Sequence, residues 1–178
     1  WERFRTRFEN ASRKVLRLRQ KVVMPSLPTA APRWVVDPDF NLDYHVRRLR
    51  VPAPGTLRDL FDVAEVAMQS PLDISRPLWS ATLVEGLEGG RAATILHLSH
   101  AVTDGVGSIE MFASIYDLER DPDPTPAPPL PIPQDLSPND LMRQGINRLP
   151  GTIAGGVRDA LFGAAQAVGH VVRDPVSR

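Results

Sequence analysis

The sequence has no cysteine, no long apolar run and no surplus of charge of either sign, and each lack closes a class of explanation. Without cysteine there is no disulfide scaffold, no cysteine-based zinc site and no thiol nucleophile, while the redox compartment stays undetermined. The 21 basic and 21 acidic residues cancel, so no global field draws the chain to nucleic acid or to an anionic membrane. No apolar stretch approaches the roughly 20 residues that a membrane-spanning helix needs, and no signal peptide is visible. An initiating Met is lacking as well: the text opens on WERFRTRFE, already inside an apparent helix. The true first residues are therefore expected to be missing.

What is present is length enough for one domain with a core, or one domain and an appendage, in 178 residues. Over residues 1–22, Trp1, Phe4, Phe8, Val15 and Leu18 fall near a helical period, with Arg3, Arg7, Arg13, Lys14, Arg17 and Lys21 filling much of the rest. This predicts an amphipathic helix whose basic face is either solvated or turned to a lipid or acyl-CoA phosphate surface; the solvated face is the reading adopted. Three prolines in MPSLPTAAP then break the chain. RWVVDPDFNLDYHVRRLRV reads as strand at both ends with a turn at Asp37-Pro38-Asp39. Thr56 is placed to cap a helix through Gln69, in which Leu57, Leu60, Phe61, Ala64 and Met68 form one apolar, core-facing stripe.

Residues 80–85 and 92–98 are two strands joined by GLEGG, a β-hairpin. Residues 106–118 read as a helix with Ile109, Phe112 and Ile115 facing a core. Next, DPDPTPAPPLPIPQDLSP can only be extended. Helices are expected over 139–149 and 152–172, the second interrupted by Arg158, Asp159 and His170 and so not a membrane span. The expected organisation is a domain over 1–120, a proline-rich linker over 121–138 and a helical crossover over 139–178.

Between the hairpin and the helix at 106 lies SHAVTDGVG. His100 follows a strand and precedes a glycine turn, a position from which an imidazole can act as general base in a cleft. Asp104 can hold that imidazole, pair with an arginine, or cap the next helix. Gly105 and Gly107 permit close backbone approach, which a ligand channel and a plain turn both use. His45, His97 and His170 are read as packing residues within their elements.

SHAVTDG resembles the HHxxxDG signature of the CoA-dependent acyltransferase superfamily. With PLDISRPLW and LVEGLEGGR upstream at these distances, the text from about Arg33 to Leu118 is similar to the bacterial wax ester synthase/acyl-CoA:diacylglycerol acyltransferase family. The resemblance implies an α/β fold, a chloramphenicol acetyltransferase-like mixed sheet with flanking helices, forming one half of a two-domain fold with a tunnel between the halves. It implies long-chain acyl transfer from acyl-CoA to a fatty alcohol or diacylglycerol, giving wax ester or triacylglycerol. His100 would then be the base, Asp104 the residue that organises its loop, and Gly105 the clearance beside the tunnel. Pro77, Leu78 and Trp79 match a motif associated with substrate binding and the tunnel wall.

Acyl-CoA is a substrate in that chemistry, and neither a metal nor another cofactor is expected. Ser99 stands at the substrate-side position where most relatives have the first histidine; alternation along a strand would send Ser99 and His100 to opposite faces, leaving the base intact. The C-terminal half, with its Asn-Asp motif, is expected as a further piece of the same polypeptide. The expected location is cytoplasmic, either free or peripheral to a membrane or lipid-droplet surface through the basic helix. Two alternatives remain beside the enzyme: a non-catalytic lipid-binding or scaffolding homologue, and a superfamily acyltransferase that takes acyl groups from a carrier protein.

Overall fold

The computed structural model describes residues 1–103, 105–116, 119, 126–151, 153, 155–156 and 159–160. Contacts divide the chain into two compact units, Trp1–Val22 with Trp34–Asp135, and Val23–Arg33 with Leu136–Arg178. The fold is mixed α/β. The first unit carries the site and holds α1 (Glu2–Lys14), α2 (Leu42–His45), β3 (Val46–Arg50), α3 (Leu57–Gln69), β4 (Trp79–Leu87), β5 (Arg91–Leu98) and α4 (Gly105–Ile115). A small two-stranded sheet pairs β1 (Gln20–Val23) with β2 (Arg33–Val36).

The larger sheet has the order β3-β4-β5, with β3 parallel and β5 antiparallel to β4. The hairpin expected around GLEGG is present, with Gly89 and Gly90 at positive φ in the turn, where a side chain would be strained. Trp79 pairs with Leu98 and Ala81 with Leu96, placing these four on one face. They join Phe8 and Ala11 of α1, Met111 and Ile115 of α4, and Val102 in one core. The other face offers Val84, Ala93 and Ile95 to Leu60 and Val63 of α3.

Local signals set several boundaries. Thr56 caps α3 through a reciprocal pair: its backbone N–H donates to Asp59 Oδ2 at 2.7 Å, and Asp59 N–H donates to Thr56 Oγ1 at 3.3 Å. Ser137 and Asp140 make the same box for α5 (Pro138–Arg148) in the second unit. There Leu141 is buried, and a Cβ added at Gly145 would collide with the Thr29 carbonyl, so only glycine allows the loop to lie that close.

The structure corrects four expectations. The first helix stops at Lys14, not near residue 22: Val15 is extended, Leu16–Arg19 is a single 3-10 turn, and the alternating text QKVV becomes β1. Of the α3 stripe, Leu57, Phe61 and Met68 are exposed, and no residue of α3 is buried. In α4 the core residues are Met111 and Ile115, while Ile109 and Phe112 face outward. The strand also ends at Leu98, so alternation does not govern Ser99 and His100, which belong to the following turn. The helix expected over 152–172 falls largely outside the described residues, and residues 121–125 of the linker fall wholly outside them; residues 126–137 run without helix or strand. Among the described residues, no helix is long and apolar enough to cross a membrane.

Candidate active site

His100 is exposed on a turn held at both ends by the backbone. Ser99 N–H donates to the Leu78 carbonyl at 3.1 Å, and Val102 N–H donates to the Ser99 carbonyl at 2.9 Å. The Ser99 hydroxyl accepts from Ala101 N–H at 3.2 Å, a local bond of the kind serine uses to fix tight turns. Val102, 5% exposed, anchors the turn in the core. The first histidine of the motif is thus replaced by a residue with a structural task in the turn itself.

Pro77, Leu78 and Trp79 are buried, and their link to His100 is mechanical. Leu78 supplies the carbonyl that receives Ser99, and Trp79 pairs with Leu98, so the start of β4 sets where β5 ends. The Trp79 indole stacks between Phe8, at 5.7 Å and 14°, and His45, at 4.6 Å and 15°. Its Nε1–H donates to the Leu18 carbonyl at 2.7 Å, which fastens the 3-10 turn after α1 to the sheet. One indole therefore positions both the Leu16–Arg19 turn and the strand end that carries His100.

His45 is fully buried beneath this stack. Its Nδ1 lies 2.8 Å from the Trp79 carbonyl, which can only accept, so Nδ1 carries the proton and Nε2 is the bare nitrogen. Nε2 is buried without a hydrogen-bond partner among the described residues. Burial is the main cause that pushes this imidazole's pKa below its ordinary value, with the Arg76 charge adding and the Trp79 carbonyl opposing. His45 is a neutral packing residue, as its place in the sequence suggested.

A cavity of about 460 Å³ opens beside His100, walled by Ala101, Val102, Thr103, Gly107 and Met111 on one side and by Val15 and Arg17 on the other. Arg17 packs its guanidinium over the Trp34 ring at 4.3 Å, with Nη1 buried and lacking a hydrogen-bond partner among the described residues. Sequence reading missed Val15 and Arg17 as site residues because it carried the helix past them. The available signal was the strand-like alternation of RLRQKVV after Val15. Gly105 begins α4, and Asp104 lies outside the described residues, so its relation to His100 is not described. A second cavity of about 230 Å³ is lined in part by Arg7, Asn10, Lys14 and Ser114. Among the described residues no cluster of three or more His, Asp or Glu is arranged to hold a metal.

The arrangement presents one imidazole at the edge of a cleft, with a cation lining the same cavity and a packed core beneath the turn that carries the imidazole. Comparison with known proteins gives a consistent result. Residues 1–178 match the sequence profile described as the wax ester synthase/diacylglycerol acyltransferase catalytic domain. A Mycobacterium tuberculosis protein carrying the name diacylglycerol O-acyltransferase is 73% identical over 177 residues, which is 99% of this chain and 36% of the relative. Another protein of that organism and name, tgs3, is 40% identical over 109 residues, 61% of this chain and 40% of its own. The solved wax ester synthase/diacylglycerol acyltransferase from Marinobacter aquaeolei VT8 superposes with a TM-score of 0.51 at 29% identity, over 63% of this chain and 26% of that one. The chain spans about a third of the length of the curated relatives it matches end to end, 36% of the first.

Proposed function

Since the chain belongs to the wax ester synthase/diacylglycerol acyltransferase family, we propose that it carries the catalytic histidine of an O-acyltransferase that moves a long-chain acyl group from acyl-CoA to a fatty alcohol or diacylglycerol. The observation that carries this reading is the placement of His100: exposed, on a turn bonded to Leu78, at a cavity of about 460 Å³. His100 takes the proton of the acceptor hydroxyl as its oxygen attacks the thioester carbonyl carbon. A C–O bond forms, the C–S bond breaks, and the same proton goes to the departing CoA thiolate. No covalent enzyme intermediate is needed, which suits a chain without a thiol nucleophile.

Asp104 orders the loop after His100 in this reading, and Gly105 leaves room at the start of α4. Pro77, Leu78 and Trp79 act on substrate through the position they give to the turn. The cationic residues Arg7 and Lys14 at the second cavity offer a counterpart to the phosphates of CoA. A C-terminal half completes the tunnel, and the outward Ile109 and Phe112 of α4, with Tyr116 just after it, suit a covered surface. Ser99 does not favour a non-catalytic homologue, because its hydroxyl has a defined use in the turn.

The test is His100→Ala in the protein assembled with its C-terminal half, assayed for ester formation from long-chain acyl-CoA with each acceptor class. Turnover should fall by about 10²- to 10⁴-fold with the melting temperature retained. Parent-like turnover in the folded variant would remove His100 as the base.

A further inference from the structure

Arg17 and Arg19, two residues apart in the turn after α1, meet opposite fates. Arg19 has its acceptors: Nη2 donates to Glu9 Oε1 at 2.6 Å and Nε to Ser12 Oγ at 3.1 Å, with the guanidinium 4.2 Å from the Phe40 ring centre. Arg17 is stacked in the same way, 4.3 Å from the Trp34 ring centre, yet its Nη1 is buried with no acceptor among the described residues. A guanidinium carries N–H donors and no acceptor, so this group can only donate. It belongs to a residue that lines the cavity containing His100.

We propose that Arg17 is a further catalytic residue of the reaction described above, donating from its guanidinium to the thioester carbonyl oxygen of the substrate. The proposal rests on the acyl-transfer reading. As the acceptor oxygen bonds to the carbonyl carbon, the π pair moves onto the carbonyl oxygen, and that oxyanion is where Arg17 donates. When the pair returns, the C–S bond breaks and the thiolate leaves with the proton held by His100. Donor and base line one cavity of about 460 Å³, so a thioester whose acceptor hydroxyl meets His100 lies in the same space as the Arg17 guanidinium. The phosphates of CoA, by contrast, lie at the far end of a long pantetheine arm.

Stacking on Trp34 also matters. It fixes the plane of the fork before substrate arrives, so little reorganisation is needed when charge develops, the condition under which such donors contribute most. Trp79 adds to this by holding the Leu18 carbonyl, which locks the turn on which Arg17 rides.

The experiment uses the protein with its C-terminal half and compares the parent with Arg17→Gln, Arg17→Lys, His100→Ala, Asp104→Asn and the Arg17→Gln/Asp104→Asn double variant. Steady-state kinetics with acyl-CoA are joined by binding of two CoA thioethers, one bearing a trifluoromethyl ketone that hydrates to a tetrahedral mimic and one with no carbonyl. Arg17→Gln should lower kcat about 10²- to 10³-fold with KM for acyl-CoA little changed. It should weaken the ketone by a similar factor and leave the carbonyl-free thioether within about threefold, with Arg17→Lys intermediate. The ketone comparison decides even where turnover is too slow to measure.

Equal weakening of both thioethers, or a raised KM at constant kcat, would make Arg17 a binder of the CoA tail and overturn the proposal. So would equal losses in Arg17→Gln and Asp104→Asn that do not add in the double variant and track a drop in melting temperature, since Arg17 would then be the aspartate's structural partner. An inert His100→Ala with a parent-like Arg17→Gln removes the oxyanion role and leaves the acyl-transfer reading standing. A parent-like His100→Ala removes the reading itself.

Discussion

On one face of the β3-β4-β5 sheet, Trp79, Ala81, Leu96 and Leu98 join residues of α1 and α4 in a core that includes Phe8, Met111 and Ile115, all at most 3% exposed. On the other, Val84, Ala93 and Ile95 meet Leu60 and Val63 of α3, a helix with no buried residue and with Phe61 and Val66 more than 60% exposed. The same three strands therefore support a tightly filled layer and a thin one. The difference follows the proposed site: the filled face holds the strand end that leads to His100 and the turn that bears Arg17. A site that must place two side chains across a cleft needs neighbours that cannot shift, and close packing supplies that rigidity.

The contrast can be broken by substitution. Trp79→Ala empties the centre of the filled face, removes the donor to the Leu18 carbonyl and leaves His45 stacked on Phe40 alone. It should cost about 3–5 kcal/mol in urea denaturation. A loss below about 1.5 kcal/mol would show that the stack is not the keystone it resembles.

A smaller effect separates the faces by pH. His45 has its folded pKa depressed, so below the unfolded value of about 6.5 the unfolded chain binds a proton that the native state refuses. Stability is full above that pH and falls as the pH drops through the window, by at most about 1.4 kcal/mol per pH unit. Urea midpoints at about pH 7.5 and 5.5 should diverge in the parent and converge in His45→Gln; the same pH dependence in both would exonerate this histidine.

The smallest effect belongs to the thin face. Phe61→Ser removes an aromatic ring that is 62% exposed, and stability should move by no more than about 0.5 kcal/mol. A cost above about 1 kcal/mol in the protein with its C-terminal half would sharpen the comparison differently, by showing that α3 is covered there.

How much of this was legible beforehand depended on whether the cause was local. Thr56 and Asp59 announce the start of α3 within four residues, and GLEGG announces the hairpin, because capping and turn geometry are settled by adjacent atoms. The end of α1 was not legible. Val15 and Leu18 continue the helical period, which outweighed the local alternation of RLRQKVV, and the bond that fixes Leu18 in the turn comes from Trp79, 61 residues away. Periodicity likewise found an apolar side of α4 but not which part of it is covered, so Ile109 and Phe112 were misplaced while Ile115 was not. The motif residues at 99 and 100 were legible as a pair, yet the service of Ser99 to its own turn needed the geometry. The bond from Ser99 to Leu78 is a matter of strand register, which no short window contains.

The sheet order has one consequence for handling the protein. Among the described strands β3 and β5 are the two outer ones, and their free edges differ. β3 carries Arg47, Arg48 and Arg50, charges that discourage another chain from adding a strand. β5 reads AATILHL after its first arginine, with no acidic or basic residue except His97. Self-association of isolated material would begin along β5, and a lysine placed at Thr94 is the change that would keep such a preparation monodisperse.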